Sequence, residues 1–131
     1  VAAIKLTADV FKKQLDDAGT AATSAADYVV KIGQLTVDDL VKSKFKAGCP
    51  LTTIALETAP DNEALSAACK TGFDLWMKTI EGHLERLTGK PSHDEAELIL
   101  SALEGALAIA RTRKNASIIL TTSKSLAALH T

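Results

Sequence analysis

At 131 residues, with 47% hydrophobic and 24% charged residues, the chain is long enough to bury a core and too apolar to be disordered. Its 15 Lys and Arg against 16 Asp and Glu leave a net charge of -1, which excludes a basic surface for nucleic-acid phosphates, so we expect no DNA binding by this chain alone. No apolar run approaches the roughly 18 residues of a membrane span, and no signal-peptide pattern opens the sequence. We therefore predict a single cytoplasmic domain, residues 1–131, without membrane contact.

Apolar residues recur at three- and four-residue steps almost throughout, which predicts an all-α fold of six helices. The first helix is predicted from Val1 to Ala18. Gly19 follows at the position where glycine enters the left-handed conformation at little cost. A second helix begins at the capping-box pair Ser24 and Asp27 and continues to about residue 42.

Proline and a capping asparagine delimit the third and fourth helices. Pro50 suits the first turn of a short helix that ends near Thr58, because proline lacks the N–H that would be unpaired there. Asn62 is predicted to cap a long fourth helix that ends at about Leu87, just before Gly89.

The last two helices follow another capping pair. Ser92 and Glu95 predict a capping box at the start of the fifth helix, which ends near Asn115. The sixth helix is predicted over residues 117–130.

The sequence contains no recognisable catalytic or metal-binding pattern. Cys49 and Cys69 lie twenty positions apart without zinc or redox spacing, and we expect ordinary thiols. His83, His93 and His130 match no metal motif and are expected at the surface or at helix ends. A nucleophile elbow and a phosphate-binding glycine loop are also lacking, so we predict no enzyme activity, no metal and no cofactor.

Four of the five aromatic residues fall on inward stripes of helices, where they could line one apolar cavity or simply pack the core. A cavity is favoured by Tyr28 and Trp76, whose polar atoms could orient a bound molecule. Because no unpaired charge marks these stripes, we expect an uncharged, apolar ligand. The predicted ligand-binding residues are Phe11, Tyr28, Ile32, Phe73, Trp76 and Leu103.

Small residues form a stripe on the fifth helix. Glycine inside a helix costs about 1 kcal/mol relative to alanine, so Gly105 favours the close approach of another helix. That helix could belong to the same chain or to a second copy of it.

Several short motifs occur between residues 48 and 111. They are Gly48-Cys49-Pro50-Leu51, Ala55-Leu56-Glu57, Trp76, Leu103-Glu104-Gly105-Ala106-Leu107 and Ala110-Arg111. Together they resemble the C-terminal domain of TetR-family regulators, in the branch that includes LmrA- and YxaF-like repressors. The likeness extends over nearly the whole chain in the order and lengths of the helices.

The resemblance implies a six-helix domain that holds an inducer and a homodimer in which the last two helices of each copy pair across a two-fold axis. It also implies a helix-turn-helix upstream, which this sequence lacks, so operator DNA would be contacted only through that segment. Since Met77 is the only methionine and Val1 opens directly in a helical pattern, we expect residues to be missing before it. The first helix would connect the two halves.

We therefore predict the ligand-sensing and dimerisation domain of a TetR-type regulator, a repressor that releases DNA on binding a hydrophobic small molecule. We expect an isolated chain to leave the large interface side chains exposed. The predicted interface residues are Ala102, Gly105, Ala106, Ile109, Ile119, Leu126 and Leu129. The alternatives are a free-standing helical carrier of hydrophobic molecules, a dimerisation module with a filled core, and an enzyme with an unrecognised site.

Overall fold

The fold is all-α. A computed structural model of the chain describes residues 1–130, which form six α-helices and two 3-10 turns and contain no strand. The helices are α1 (Ala2–Ala21), α2 (Ala25–Lys42), α3 (Pro50–Glu57), α4 (Glu63–Thr88), α5 (His93–Arg113) and α6 (Ser117–Ala127), with the turns at Ala59–Asp61 and Ala128–His130. The predicted fold class and number of helices are confirmed. None of the helices in this range is both long and apolar enough to cross a membrane.

The long helix α4 lies at the centre of the packing. It lies against α1 and also contacts α2, α3 and α5, while α6 covers α2 and α5. Its inward face buries Trp76, Ile80 and Leu84 almost completely. Burying a large side chain of this kind contributes about 1.5–3 kcal/mol, so this face of α4 is a main source of stability.

Most helix ends form at the predicted residues. The side chains of Ser24 and Asn62 each accept a hydrogen bond from the backbone N–H three residues further on, at 3.0 and 3.1 Å. Pro50 is the first residue of α3. Gly89 ends α4 with φ of 71°, the left-handed conformation expected for a glycine at this position.

The predicted capping box at the start of α5 does not form. Ser92 does precede the helix, but its side chain makes no capping bond. Its hydroxyl donates instead to the carbonyl of Lys90 at 2.9 Å. Glu95 contacts the imidazole of His130 at the end of the chain rather than the backbone of Ser92.

The predicted end of α1 at Ala18, with Gly19 left-handed after it, is wrong, because the helix continues to Ala21. A Cβ at Gly19 would lie 2.3 Å from Nδ1 of His83 on α4, well inside van der Waals contact. Glycine is therefore required here by the packing of α1 against α4, and not by a left-handed backbone.

His83 was expected at the surface or at a helix end, but it is part of a polar contact between α1 and α4. Its Nε2 donates to Asp16 at 2.8 Å, and its Nδ1 accepts from Arg86 at 3.1 Å. Because arginine can only donate, this network assigns the proton of neutral His83 to Nε2. Burial raises the pKa of Asp16, but hydrogen bonds from Lys12 and His83 outweigh it, and the pKa is lowered overall.

Replacing Gly19 with alanine should destabilise the fold. The new methyl group must displace the His83 ring and break its hydrogen bonds, and overpacking of this kind costs about 1–3 kcal/mol. Gly82→Ala is the control, since a Cβ at that helical glycine meets nothing within 4 Å among the described residues. It should stabilise the protein by up to about 1 kcal/mol through helix propensity. Urea unfolding measures both, and a Gly19→Ala variant as stable as Gly82→Ala would contradict this role of Gly19.

Candidate functional site

A cavity of about 100 Å³ lies among the helices. Its walls come from α1, α2, α4 and α5, and the segment 43–49 and the start of α3 complete it. The exposed residues Asp39, Ala47 and Pro50 lie at its mouth. The apolar wall consists of Phe11, Ile32, Leu40, Trp76, Ile80, Leu100, Leu103 and Leu107.

Four of the predicted ligand-binding residues line this one cavity, although they are far apart in sequence. Phe11 lies on α1, Ile32 on α2, Trp76 on α4 and Leu103 on α5. The rings of Phe11 and Trp76 meet edge to face, with centroids 4.8 Å apart. The helical stripes thus converge on one space, and the binding of a ligand there stays a prediction.

Tyr28 and Phe73 do not line the cavity. Tyr28 is fully buried, and its hydroxyl donates to the carbonyl of Leu15 at 3.2 Å. Burial raises the pKa of this phenol, which stays protonated. Phe73 packs against Trp76, with centroids 5.8 Å apart, and lines a shallow depression elsewhere on the surface.

The expectation that the polar atoms of Tyr28 and Trp76 orient a ligand is also wrong. The indole N–H of Trp76 donates to the carbonyl of Ala8 on α1 at 2.9 Å. Buried donors need a partner, and here both partners lie within the chain. Trp76 therefore offers the cavity the apolar surface of its ring.

The polar lining comes from residues that sequence reasoning did not select. Thr36 donates its hydroxyl to the carbonyl of Ile32 at 2.9 Å. Asp39 and Glu104 contribute carboxylates, and neither forms an ion pair within residues 1–130. The expectation that no unpaired charge lies near the predicted ligand site is thus wrong. The sequence held a signal, because Glu104 falls four residues after Leu100 and three before Leu107 on the inward stripe.

Glu104 lies between the cavity and a second recess. The hydroxyl of Thr52 on α3 donates to its Oε2 at 2.7 Å. The adjoining groove, of about 170 Å³, shares Glu104, Cys49 and Leu107 with the cavity and extends to Arg111. One carboxylate thus faces both spaces.

The thiol of Cys49 also lines both recesses. Burial, and after it the negative charge of Glu104, raise the pKa of Cys49 to about 11. The thiolate, which is the reactive form, is therefore scarce at neutral pH, and Cys49 is poorly suited to redox or nucleophilic chemistry.

The segment 43–49, of which Ala47, Gly48 and Cys49 line the cavity, contains two residues in a strained conformation. Lys44 and Phe45 have φ of 58° and 62°, the left-handed region that side chains with a Cβ rarely occupy. Each such residue costs roughly 1–2 kcal/mol. The half-buried Phe45 ring packs on the core, and its N–H donates to the carbonyl of Leu40 at 2.9 Å. Strain of this kind occurs often in segments that border ligand sites.

One group of potential metal ligands lies elsewhere, at the start of α5. Ligand atoms of His93, Asp94 and Glu97 lie within 4.8 Å of one another, and all three residues are exposed. The imidazole of His93 also lies 3.3 Å from the carboxylate of Glu81. Exposed groups of this kind are common without a metal, and we assign no site to them.

The predicted dimer residues fall into two groups. Ala106, Ile119 and Leu126 are 4%, 0% and 7% exposed within the single chain. The expectation that an isolated chain leaves Ile119 and Leu126 exposed is therefore wrong. The physical reason is that α6 packs its apolar face against α2 and α5.

The other predicted dimer residues remain accessible. Ile109 and Leu129 are 42% and 63% exposed, Gly105 is exposed, and Ala102 is half-buried. Within the described residues, a Cβ at Gly105 would meet nothing within 4 Å. A tight helix crossing inside the chain therefore does not explain this glycine.

The fold and its apolar cavity define the class of the chain, an all-α bundle with internal space. A family model described as the C-terminal domain of LmrA/YxaF-like transcriptional regulators matches residues 25–125, from the start of α2 almost to the end of α6. The chain therefore belongs to this family of TetR-type C-terminal domains, which have a ligand-binding and dimerisation role in TetR regulators. Comparison with curated proteins and with solved structures gives no match.

The reactivity of Cys49 should report the charge of Glu104. We expect slow alkylation of Cys49 by iodoacetamide at mildly alkaline pH, and several-fold faster alkylation in Glu104→Gln, because loss of the negative charge lowers the thiol pKa and raises the thiolate fraction. Peptide mapping by mass spectrometry separates Cys49 from Cys69. Glu97→Gln, an equal charge change at an exposed position of the same helix, should leave the rate unchanged. Equal rates in all three proteins would contradict this electrostatic coupling.

Proposed function

We propose that this chain is the small-molecule-sensing half of a TetR-type transcriptional repressor, and that an apolar ligand in the cavity causes the regulator to release operator DNA. The observation that carries the proposal is the cavity, in which Phe11, Ile32, Trp76 and Leu103 meet from four helices. An engineered apolar cavity of about 150 Å³ binds benzene, so a space of about 100 Å³ holds at most one ring.

Helix α1 is the element that we expect to transmit the signal. Phe11 lines the cavity, and the rest of α1 lies along α4. In a TetR-type regulator with this C-terminal domain, the DNA-binding domain precedes α1. We infer that this DNA-binding domain makes the contacts to operator DNA and that the protein acts in the cytoplasm. A helix of 20 residues is about 30 Å long, which is comparable with the ~34–36 Å between operator half-sites. A small tilt of α1 would therefore change the distance between the two recognition helices of a dimer.

Ligand binding changes this equilibrium only through different affinities for the two conformations. We infer that the strained segment 43–49, which lines the cavity through Ala47, Gly48 and Cys49, provides a physical source of that difference. In the repressor we expect the bound conformation to be the one that cannot contact both half-sites.

We further propose a homodimer formed through the exposed stripe of α5. Leu98, Ala102, Gly105 and Ile109 follow one another at steps of four, three and four residues, the spacing of a helix-pairing seam. Leu98 is 46% exposed, and the small residues between it and Ile109 allow another helix to approach closely. Leu129, 63% exposed at the end of the described chain, offers a further apolar side chain. A two-fold axis places the same stripe on both partners.

The ligand proposal is tested by filling the cavity. Phenethyl alcohol, a neutral single-ring compound, should change the emission of the single tryptophan, Trp76, and raise the melting temperature. Leu103→Phe should abolish both effects because the larger ring occupies the space. Leu6→Phe, the same change at an exposed position on α1, should retain them. If the native chain does not respond, a dimerisation module with a filled core is the better description.

The dimer proposal is tested at Gly105. We expect Gly105→Leu to shift the native dimer towards monomer, because overpacking a helix contact costs about 1–3 kcal/mol and the two-fold axis imposes the change twice. Gly82→Leu is the matched control at another exposed helical glycine on α4. Sedimentation velocity at micromolar concentration measures the state of each protein. A monomeric native chain, or a Gly105→Leu dimer as stable as the control, would show that α5 does not form the interface.

A further inference from the structure

The cavity lining carries two carboxylates and no basic side chain, and the nearest basic residues lie beside it: Lys44 and Lys46 in the segment 43–49, and Arg111, whose Nη1 lies 3.6 Å from a Cβ built on Gly48. Asp39 lies at its mouth and Glu104 in its wall, and among the described lining residues none is Lys, Arg or His. No basic group of residues 1–130 lies within 4.0 Å of either carboxylate. This holds also for Arg111, which lines the adjoining groove. Five other aspartates each pair with a lysine one helical turn away: Asp9, Asp16, Asp17, Asp27 and Asp74.

The carboxylate of Glu104 is fixed in position and acts on the interior. Its Oε2 accepts from the hydroxyl of Thr52 at 2.7 Å, and the thiol of Cys49 also hydrogen-bonds to its side chain. Its charge contributes to the raised pKa of Cys49, so the field of the carboxylate reaches into the lining. A charge next to apolar walls acts more strongly than one in water, because the local dielectric constant is lower.

The remaining walls suit the body of an organic cation. Phe11 and Trp76 are aromatic, and the faces of such rings attract cations as well as apolar groups. The cavity holds about one ring, and Glu104 lies where the cavity joins the second groove. A ligand with its ring in the cavity can therefore place a short side arm beside this carboxylate.

We propose that the effector is a small organic cation, whose apolar ring fills the cavity and whose protonated amine pairs with Glu104, while Asp39 favours its entry at the mouth. This inference rests on the proposed function, since it takes the cavity to be the ligand site. It replaces the uncharged ligand that the sequence led us to expect.

Three single-ring probes of different charge test the proposal: phenethylamine, phenethyl alcohol and phenylacetate. Each is titrated into the full chain at neutral pH and low ionic strength, with Trp76 emission and the melting temperature as readouts. We expect phenethylamine to bind about tenfold more tightly than phenethyl alcohol, because a charge-assisted hydrogen bond replaces a neutral one. Phenylacetate should bind most weakly.

Two variants assign the preference to the carboxylates. In Glu104→Gln the amine-to-alcohol affinity ratio should fall to near one, whereas Glu97→Gln on the same helix should keep the native ratio. Asp39→Asn, at an exposed position that does not affect folding of the core, should lower the ratio about twofold. This second variant keeps the test decisive if Glu104→Gln does not fold.

The outcomes separate this inference from the proposed function. If phenethyl alcohol binds as tightly as phenethylamine, the proposal of a cationic effector is wrong, and the proposal of an apolar ligand site still holds. An amine preference that persists undiminished in Glu104→Gln and Asp39→Asn would overturn the roles of these carboxylates. If none of the three probes binds at millimolar concentration, both proposals are wrong.

Discussion

The hydrogen bond from the Trp76 indole to the carbonyl of Ala8 fixes the position of α1 on the rest of the fold. Two more side chains act in the same way: Tyr28 donates to the carbonyl of Leu15, and Arg86 donates to that of Gly19. A carbonyl has two lone pairs, so those of Ala8 and Leu15 can accept from a side chain and still serve the helix, while that of Gly19, in the last turn, accepts from Arg86. Apolar packing alone would let α1 slide along α4, whereas three directional bonds along its length define one register.

This arrangement couples the cavity to α1. The ring of Trp76 forms part of the cavity wall, and its N–H holds Ala8. Phe11, three residues further along α1, contacts both the cavity and the Trp76 ring. A molecule that moves either ring must therefore strain a buried hydrogen bond or move α1. A buried donor without a partner costs about 1–3 kcal/mol, so the position of the Trp76 ring and the position of α1 are energetically linked.

Local signals in the sequence predicted most helix ends, whereas contacts between residues far apart in the sequence could not be predicted from it. The caps at Ser24 and Asn62 and the glycine stop at Gly89 depend on residues within one turn, so their structures could be predicted. Gly19 could not, because the reason for it is His83, far along the chain. The same limit applies to the apolar face of α6, since an apolar stripe does not reveal whether its own chain or a partner covers it. Within the site, the stripes brought together four lining residues, but they did not show that internal carbonyls take the polar atoms of Tyr28 and Trp76.

The placement of Glu104 is better explained by a ligand than by stability. The half-buried Glu104 accepts a hydrogen bond from Thr52 and another from the thiol of Cys49. A glutamine of nearly the same shape would accept the same hydrogen bonds through its carbonyl oxygen. The fold therefore gains little from the negative charge, and the raised pKa of Cys49 shows that the charge acts on the cavity lining. A charge that stability does not require, next to an apolar space and without a basic partner in the described part of the chain, is what recognition of a cation needs.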